Sequence, residues 1–160
     1  LSIINQTETE DEVVLFYEKR RTKMTSNFPL HPQLEKDFIF VQDWPLCQLL
    51  FKNDTQFPWL ILIPKRLDLT EIHDLSSTDQ IQLIQEISKA SLLMKKIFNA
   101  HKINIGALGN MVPQLHIHVI ARFEDDEAWP HAVWGHTANV PYKREYIEDI
   151  LDQLKTSLVF

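Results

Sequence analysis

Apolar residues Leu83, Ile87, Ala90, Met94 and Ile97 recur at intervals of four, three, four and three, flanked by Ile84 and Phe98. That spacing lines up one stripe on an α-helix about twenty residues long, and such a stripe has to be buried against another layer. Ser77 with Gln80 three residues on predicts a capping box at its start. The flanking segments supply the layer. Short apolar runs at 38–41, 46–51 and 59–63 precede the helix, and runs at 103–108 and 115–121 follow it. Trp44-Pro45, 52–55, Pro64 and Gly109-Asn110 punctuate them as turns or strand ends. The unbroken run Trp59-Leu-Ile-Leu-Ile63 predicts a strand buried on both faces. Three strands, a helix and two strands predict an α+β domain, with helices packed on a largely antiparallel five-stranded sheet.

The ends read as additions to this domain. Acidic residues from Glu8 to Glu12, then 13–17, then Lys19, Arg20, Arg21 and Lys23 predict an amphipathic helix over 9–24. Tyr146, Ile147, Ile150, Leu151 and Leu154 predict one face of a C-terminal helix over 143–158. The expected division is an N-terminal extension at 1–33, a core domain at 34–128 and a C-terminal tail and helix at 129–160.

Composition narrows the chemistry. Three glycines, Gly106, Gly109 and Gly135, cannot build a P-loop or a dinucleotide fingerprint. One cysteine, Cys47, excludes a disulfide framework and a Cys-rich zinc site, and its mid-strand place predicts a small core residue. A net charge of -6 argues against long nucleic acid and anionic membranes as partners. The longest charge-free apolar run is too short to cross a bilayer, and the acidic start lacks the basic region of a secretory leader. A cytoplasmic location is expected.

The segment Pro113-Gln-Leu-His-Ile-His-Val-Ile-Ala-Arg122 carries the chemistry. Alternate side chains of a strand share a face, so Leu115, Ile117 and Val119 point into the core while Gln114, His116 and His118 form a polar row on the other side. Imidazole is a nucleophile when neutral and an acid when protonated, and neighbouring rings disfavour double protonation. A backbone carbonyl that accepts from one ring nitrogen leaves the other free to react. Physics alone leaves three readings open: a polar surface pair, a metal pair, or a catalytic pair. The metal reading needs a third ligand, and His31, His73, His101, His131 and His136 show no helical metal-site spacing.

At these residues the chain resembles the histidine triad (HIT) family of nucleotide hydrolases and transferases. The family motif is His-φ-His-φ-His-φ-φ with φ apolar. Gln114-Leu-His-Ile-His-Val-Ile120 matches it except at the first position, where Gln114 replaces His. The apolar strand ending in Pro64-Lys65, the long helix, the strand containing Asn104 and the Gly109-Asn110 turn follow the family's order, over roughly 36–122. Ala128-Trp-Pro-His-Ala-Val-Trp-Gly135 further resembles the tail of a bacterial subgroup with the Gln-type motif, diadenosine polyphosphate hydrolase-like. Trp59 departs from the family, standing where many members carry another histidine.

The resemblance implies a HIT-like fold and cleavage of a phosphoanhydride or phosphoramidate bond of a purine nucleotide. It makes His116 the nucleophile that forms a nucleotidyl-histidine and His118 the contact to phosphate and leaving-group oxygens. Gln114 then supports both, Asn53 binds ribose, Asn110 holds phosphate oxygens, and Asn104 takes a polar position of the family's nucleotide site. No metal and no cofactor are implied, and a homodimer through the long helix and adjacent strand is. The rival readings are a non-catalytic nucleotide-binding module made inert by Gln114, and a metal-binding protein built on His116 and His118. Trp44, Trp59, Trp129 and Trp134 are candidates to enclose a base. Lys65, Arg66 and Arg122 read as solvated charges or phosphate partners.

Overall fold

The computed structural model describes residue 15, residues 28–136 and residues 139–157. The expected helix over 9–24 lies outside the described residues apart from Leu15.

Five strands form one antiparallel sheet: β1 (Phe38–Asp43), β2 (Cys47–Lys52), β3 (Trp59–Pro64), β4 (Lys102–Gly106) and β5 (Ile117–Arg122). Their spatial order is β1-β2-β3-β5-β4, so the histidine-bearing strand pairs on both sides and β4 lies at the edge. Among the described residues the sheet is accompanied by the α-helices α1 (Pro32–Asp37), α2 (Ser77–Phe98) and α3 (Arg144–Thr156) and by a single 3-10 turn at Ile72–Asp74. The α+β architecture agrees with the strand and helix order read from the sequence.

The pleat sorts side chains into two cores. Leu49, Phe51, Leu60, Leu62, Ile117, Val119 and Ala121 face α2 and α3, where they meet Leu83, Ile87, Ala90, Met94, Ile147 and Leu151. Leu50, Trp59, Ile61, Ile63 and Ile120 face the other way, covered by Leu30 and Leu34 of the entry segment and by Ala128 and Val133 of the tail. This second face carries the histidines. β3 is buried at every position, as its unbroken apolar run requires.

Local details differ from the sequence expectation for identifiable reasons. The N-cap of α2 is Ser76, whose hydroxyl accepts from the Asp79 amide at 3.2 Å, while Gln80 donates to the Leu75 carbonyl instead of closing a box with Ser77. Ile84 and Tyr146 are exposed, because the buried stripes shift to Leu93 on α2 and to Ile147, Leu151 and Leu154 on α3. Leu115 and His116 precede the ladder: the Leu115 amide donates to the Leu69 carbonyl, off the sheet. Buried Glu86 of α2 accepts from the Leu46 and Cys47 amides at 2.8 and 2.9 Å and so ties the β1–β2 turn to the helix. Burial, and then Glu86, push the Cys47 thiol far above its ordinary range, so it is an inert core group.

Candidate active site

Register brings the site together. Ile61 pairs with His118, which pairs with Gly106 on the other side; Trp59 pairs with Ile120, which pairs with Asn104. Lys52 at the end of β2 extends the Trp59 row by one strand, since its neighbour Phe51 pairs with Leu60. The outward face therefore carries Lys52, Trp59, His118, Gly106 and Asn104 within a few strand spacings, with His116 at its lower edge.

The two histidine rings lie edge to face with centroids 4.8 Å apart, and each residue retains 7% of its surface. Nδ1 of His116 sits 2.7 Å from the Gln114 backbone carbonyl. A carbonyl only accepts, so Nδ1 carries a proton, and in the neutral ring Nε2 keeps its lone pair. His118 is held the opposite way. The Trp59 indole N–H donates to His118 Nδ1 at 2.9 Å, so in the neutral ring the proton is on Nε2. The pair thus presents one bare nitrogen and one N–H donor. Burial, the His116 ring and the Lys52 ammonium, in that order, lower the His118 pKa to about 3, so His118 is neutral at physiological pH.

Trp134 roofs His118 and Trp59. Its ring centroid is 5.9 Å from that of His118 and 6.1 Å from that of Trp59, both nearly perpendicular. Gly106 makes room for it, because a Cβ there would lie 2.9 Å from Trp134 Cζ2. The tail holding Trp134 is pinned by Arg122, which is not solvated as the sequence reading allowed but 1% exposed. Its guanidinium donates to both Asp126 oxygens at 2.7 and 2.9 Å, to Asn104 Oδ1 at 2.6 Å and to the His131 carbonyl at 2.9 Å. Burial pushes the Asp126 carboxyl up, but the hydrogen bonds from Arg122 and the Phe123 and Ala128 amides outweigh it and hold the pKa below the ordinary value.

The other sequence-derived candidates are placed as follows. Gln114 touches the pair through its backbone only; its side chain accepts from the His31 amide and donates to the Pro29 carbonyl. Asn104 lies on the histidine face and is held by Arg122. Asn53 accepts from the Tyr142 amide at 2.9 Å. Asn110 is exposed in the connection from β4 to β5, after Gly109 at φ 69. Of the four tryptophans, Trp59 and Trp134 reach the histidines. Trp44 packs in the α2-side core, and Trp129 against His101 and Arg122. Lys65 is drawn to Asp43 and the Trp44 carbonyl, and Arg66 to Asp79.

Sequence reasoning missed Lys52 and Asp54. The ammonium of Lys52 lies 4.9 Å from the Trp59 ring centroid and 3.1 Å from Oδ2 of the fully buried Asp54. Pairing the two strands across the 53–58 connection would have set Lys52 beside Trp59. Among the described residues no three His, Cys, Asp or Glu side chains cluster in a way that could hold a metal ion. No helix of the described residues is long and apolar enough to cross a membrane.

Residues 33–125 match the family model of the HIT domain. A histidine triad protein from Bradyrhizobium japonicum is 42% identical with a TM-score of 0.77, over 79% of this chain and 95% of that one. One from Sinorhizobium meliloti is 42% identical with a TM-score of 0.79, over 82% and 98%. One from Marinobacter aquaeolei is 41% identical with a TM-score of 0.77, over 80% and 93%. No curated protein matches the chain.

Proposed function

This chain belongs to the HIT domain family, whose members are generally nucleotide-binding hydrolases and transferases, and we propose that it cleaves a phosphoanhydride or phosphoramidate bond of a purine nucleotide through a nucleotidyl-histidine on His116. The observation that carries this reading is the opposed hydrogen bonding of the two rings, His116 Nδ1 against the Gln114 carbonyl and His118 Nδ1 against the Trp59 N–H, which in the neutral rings leaves one bare nitrogen beside one N–H donor.

In the proposed reaction the His116 Nε2 lone pair attacks the α-phosphorus, a P–N bond forms, and the bond from phosphorus to the leaving atom breaks with its electron pair. The positive charge gained by the His116 ring is stabilised by the Gln114 carbonyl at Nδ1. His118 donates its Nε2–H to an oxygen on phosphorus or on the leaving group and stabilises the charge developing there. Water, or another acceptor, then displaces His116 from phosphorus, with loss of a proton to solvent, and restores the free ring. The burial of both rings and the Trp134 roof favour such a reaction by excluding bulk water and strengthening each hydrogen bond.

Asn53, Asn104 and Asn110 complete the proposal as nucleotide contacts, the first two once their present partners are exchanged for ligand. The division at residues 34 and 128, a cytoplasmic setting and a homodimer belong to the same reading. Exposed Ile105 and Leu108 at and beyond the edge strand, and Ile81, Ile84 and Leu92 on α2, support the homodimer.

The test is to incubate the protein with adenosine polyphosphate labelled at the α-phosphate and to denature it at alkaline pH, where a phosphorus–nitrogen bond survives. Wild type is expected to carry label and His116→Ala none. Binding without label in the wild type would instead identify a non-catalytic module.

A further inference from the structure

Lys52, Trp59 and His118 form a connected series across three strands. The Lys52 ammonium is fixed in place by Asp54 at 3.1 Å and lies 4.9 Å from the indole centroid. Asp54 is itself held, its other oxygen accepting from the Gln56 and Val140 amides. A cation against an aromatic ring withdraws electron density from it, which makes the indole N–H a stronger donor. That N–H points at His118 Nδ1 at 2.9 Å. From the other elements around it, His118 faces His116 at 4.8 Å between centroids, Gly106 on β4 and the Trp134 ring. Among the described residues, the charges acting on it are Lys52 and any charge on His116, both of which oppose its protonation.

We infer that Lys52 and Trp59 are positioning residues that hold His118 as a neutral Nε2–H donor, and that they thereby restrict the site to leaving groups that depart as anions, the phosphate oxygens of a phosphoanhydride. The inference rests on the nucleotidyl-transfer reading and selects between its two bond classes. When a phosphoanhydride is cleaved, the bridging oxygen takes the electron pair and leaves as part of a phosphate anion, which needs a hydrogen bond and no proton. When a phosphoramidate is cleaved, the nitrogen takes the electron pair and must also take a proton, because an amide anion is not a viable leaving group. A neutral His118 has only the Nε2 proton to give, and giving it would leave an imidazolate. His118 is thus a donor that stabilises an anion and not an acid that releases an amine.

The experiment has two arms. In the first, ring-nitrogen NMR of histidine-labelled protein follows His118 from about pH 8 to about pH 5 in wild type, Lys52→Met, Lys52→Arg and Trp59→Phe. Wild type and Lys52→Arg are expected to keep the Nε2–H tautomer throughout. Lys52→Met and Trp59→Phe are expected to show tautomer exchange and protonation at higher pH. In the second arm, kcat/KM is measured for an adenosine polyphosphate and an adenosine phosphoramidate. Wild type is expected to prefer the polyphosphate by at least about 100-fold, and Lys52→Met to lose about tenfold or more of that preference by gaining on the phosphoramidate. Equal cleavage of both substrates by the wild type overturns this inference and leaves nucleotidyl transfer standing. Cleavage of neither overturns both. A His118 spectrum unmoved by Lys52→Met removes Lys52 from the device.

Discussion

The side-chain carbonyl of Gln114 accepts the backbone N–H of His31 at 2.8 Å, across eighty-three residues of chain. The same amide donates to the Pro29 carbonyl at 3.0 Å. Gln114 thus stitches the entry segment to the start of the histidine strand, and its contribution to His116 is the backbone carbonyl, which any residue would supply.

Gln114→Leu keeps the carbonyl and removes the stitch. The His31 amide and Pro29 carbonyl lose their partners to water, at a cost of about 0.5–1.5 kcal/mol in unfolding free energy. Nucleotide turnover is expected to stay within about tenfold of wild type, since the His116 tautomer is untouched. Urea unfolding and steady-state kinetics on the same preparation check both. A loss of about 1,000-fold with stability unchanged would make Gln114 a direct participant.

The fold was legible because period and punctuation agreed: the stripe from Leu83 to Ile97 and the turns at Trp44-Pro45 and Gly109-Asn110 fix element order without tertiary information. The histidine pair was legible for the same reason, since alternation puts His116 and His118 on one side. Three things were not. Lys52 enters the site only through the β2–β3 register, a long-range relation that its neighbours in sequence do not encode. Arg122 resembles a surface charge until Asp126, four residues on, folds back onto it. Gln114 aligns with a motif position by spacing, but its side chain is claimed by residues 29 and 31, which no local pattern announces.

Arg122→Met tests the anchor of the tail. The substitution leaves the Asp126 carboxylate, 3% exposed at its side chain, without its cation, and strands Asn104 Oδ1 and the His131 carbonyl. Breaking a buried pair from one side costs about 3–5 kcal/mol. Because Trp134 is held through this tail, its fluorescence is expected to shift toward that of a hydrated indole before global unfolding. A double variant with Asp126→Asn is expected to recover part of the loss. Strict additivity of the two single variants would argue against the pair acting as one unit.

Gly106→Ala tests the roof. The added methyl meets Trp134 Cζ2 at 2.9 Å and Cη2 at 3.0 Å, so the indole has to move away from Trp59 and His118. Overpacking of this kind costs about 1–3 kcal/mol. The companion Trp134→Ala removes the obstruction and is expected to make the alanine at 106 nearly neutral for stability in the double variant. If Gly106→Ala were equally costly in both backgrounds, the cost would lie in the backbone and not in the contact with Trp134.

The buried donor ring also makes stability depend on pH in a defined direction. His118 binds a proton near pH 6.5 in the unfolded chain, but only near about pH 3 in the folded one, because burial, His116 and Lys52 oppose the charge. Between those values the unfolded state binds more protons, so the contribution is fully present above about pH 6.5 and is lost as pH falls toward 3. The loss is on the order of a few kcal/mol. Asp126, whose folded pKa is depressed, titrates below most of this window and adds its own loss only at more acidic pH. His118→Gln removes the titrating ring, so the difference in unfolding free energy between wild type and variant isolates it. That difference is expected to shrink or reverse by up to about 1.4 kcal/mol per pH unit as the pH is lowered from about 6 to about 4. A difference constant across that range would mean that His118 titrates alike in both states, and the neutral-donor role assigned to it would fall with the depressed pKa.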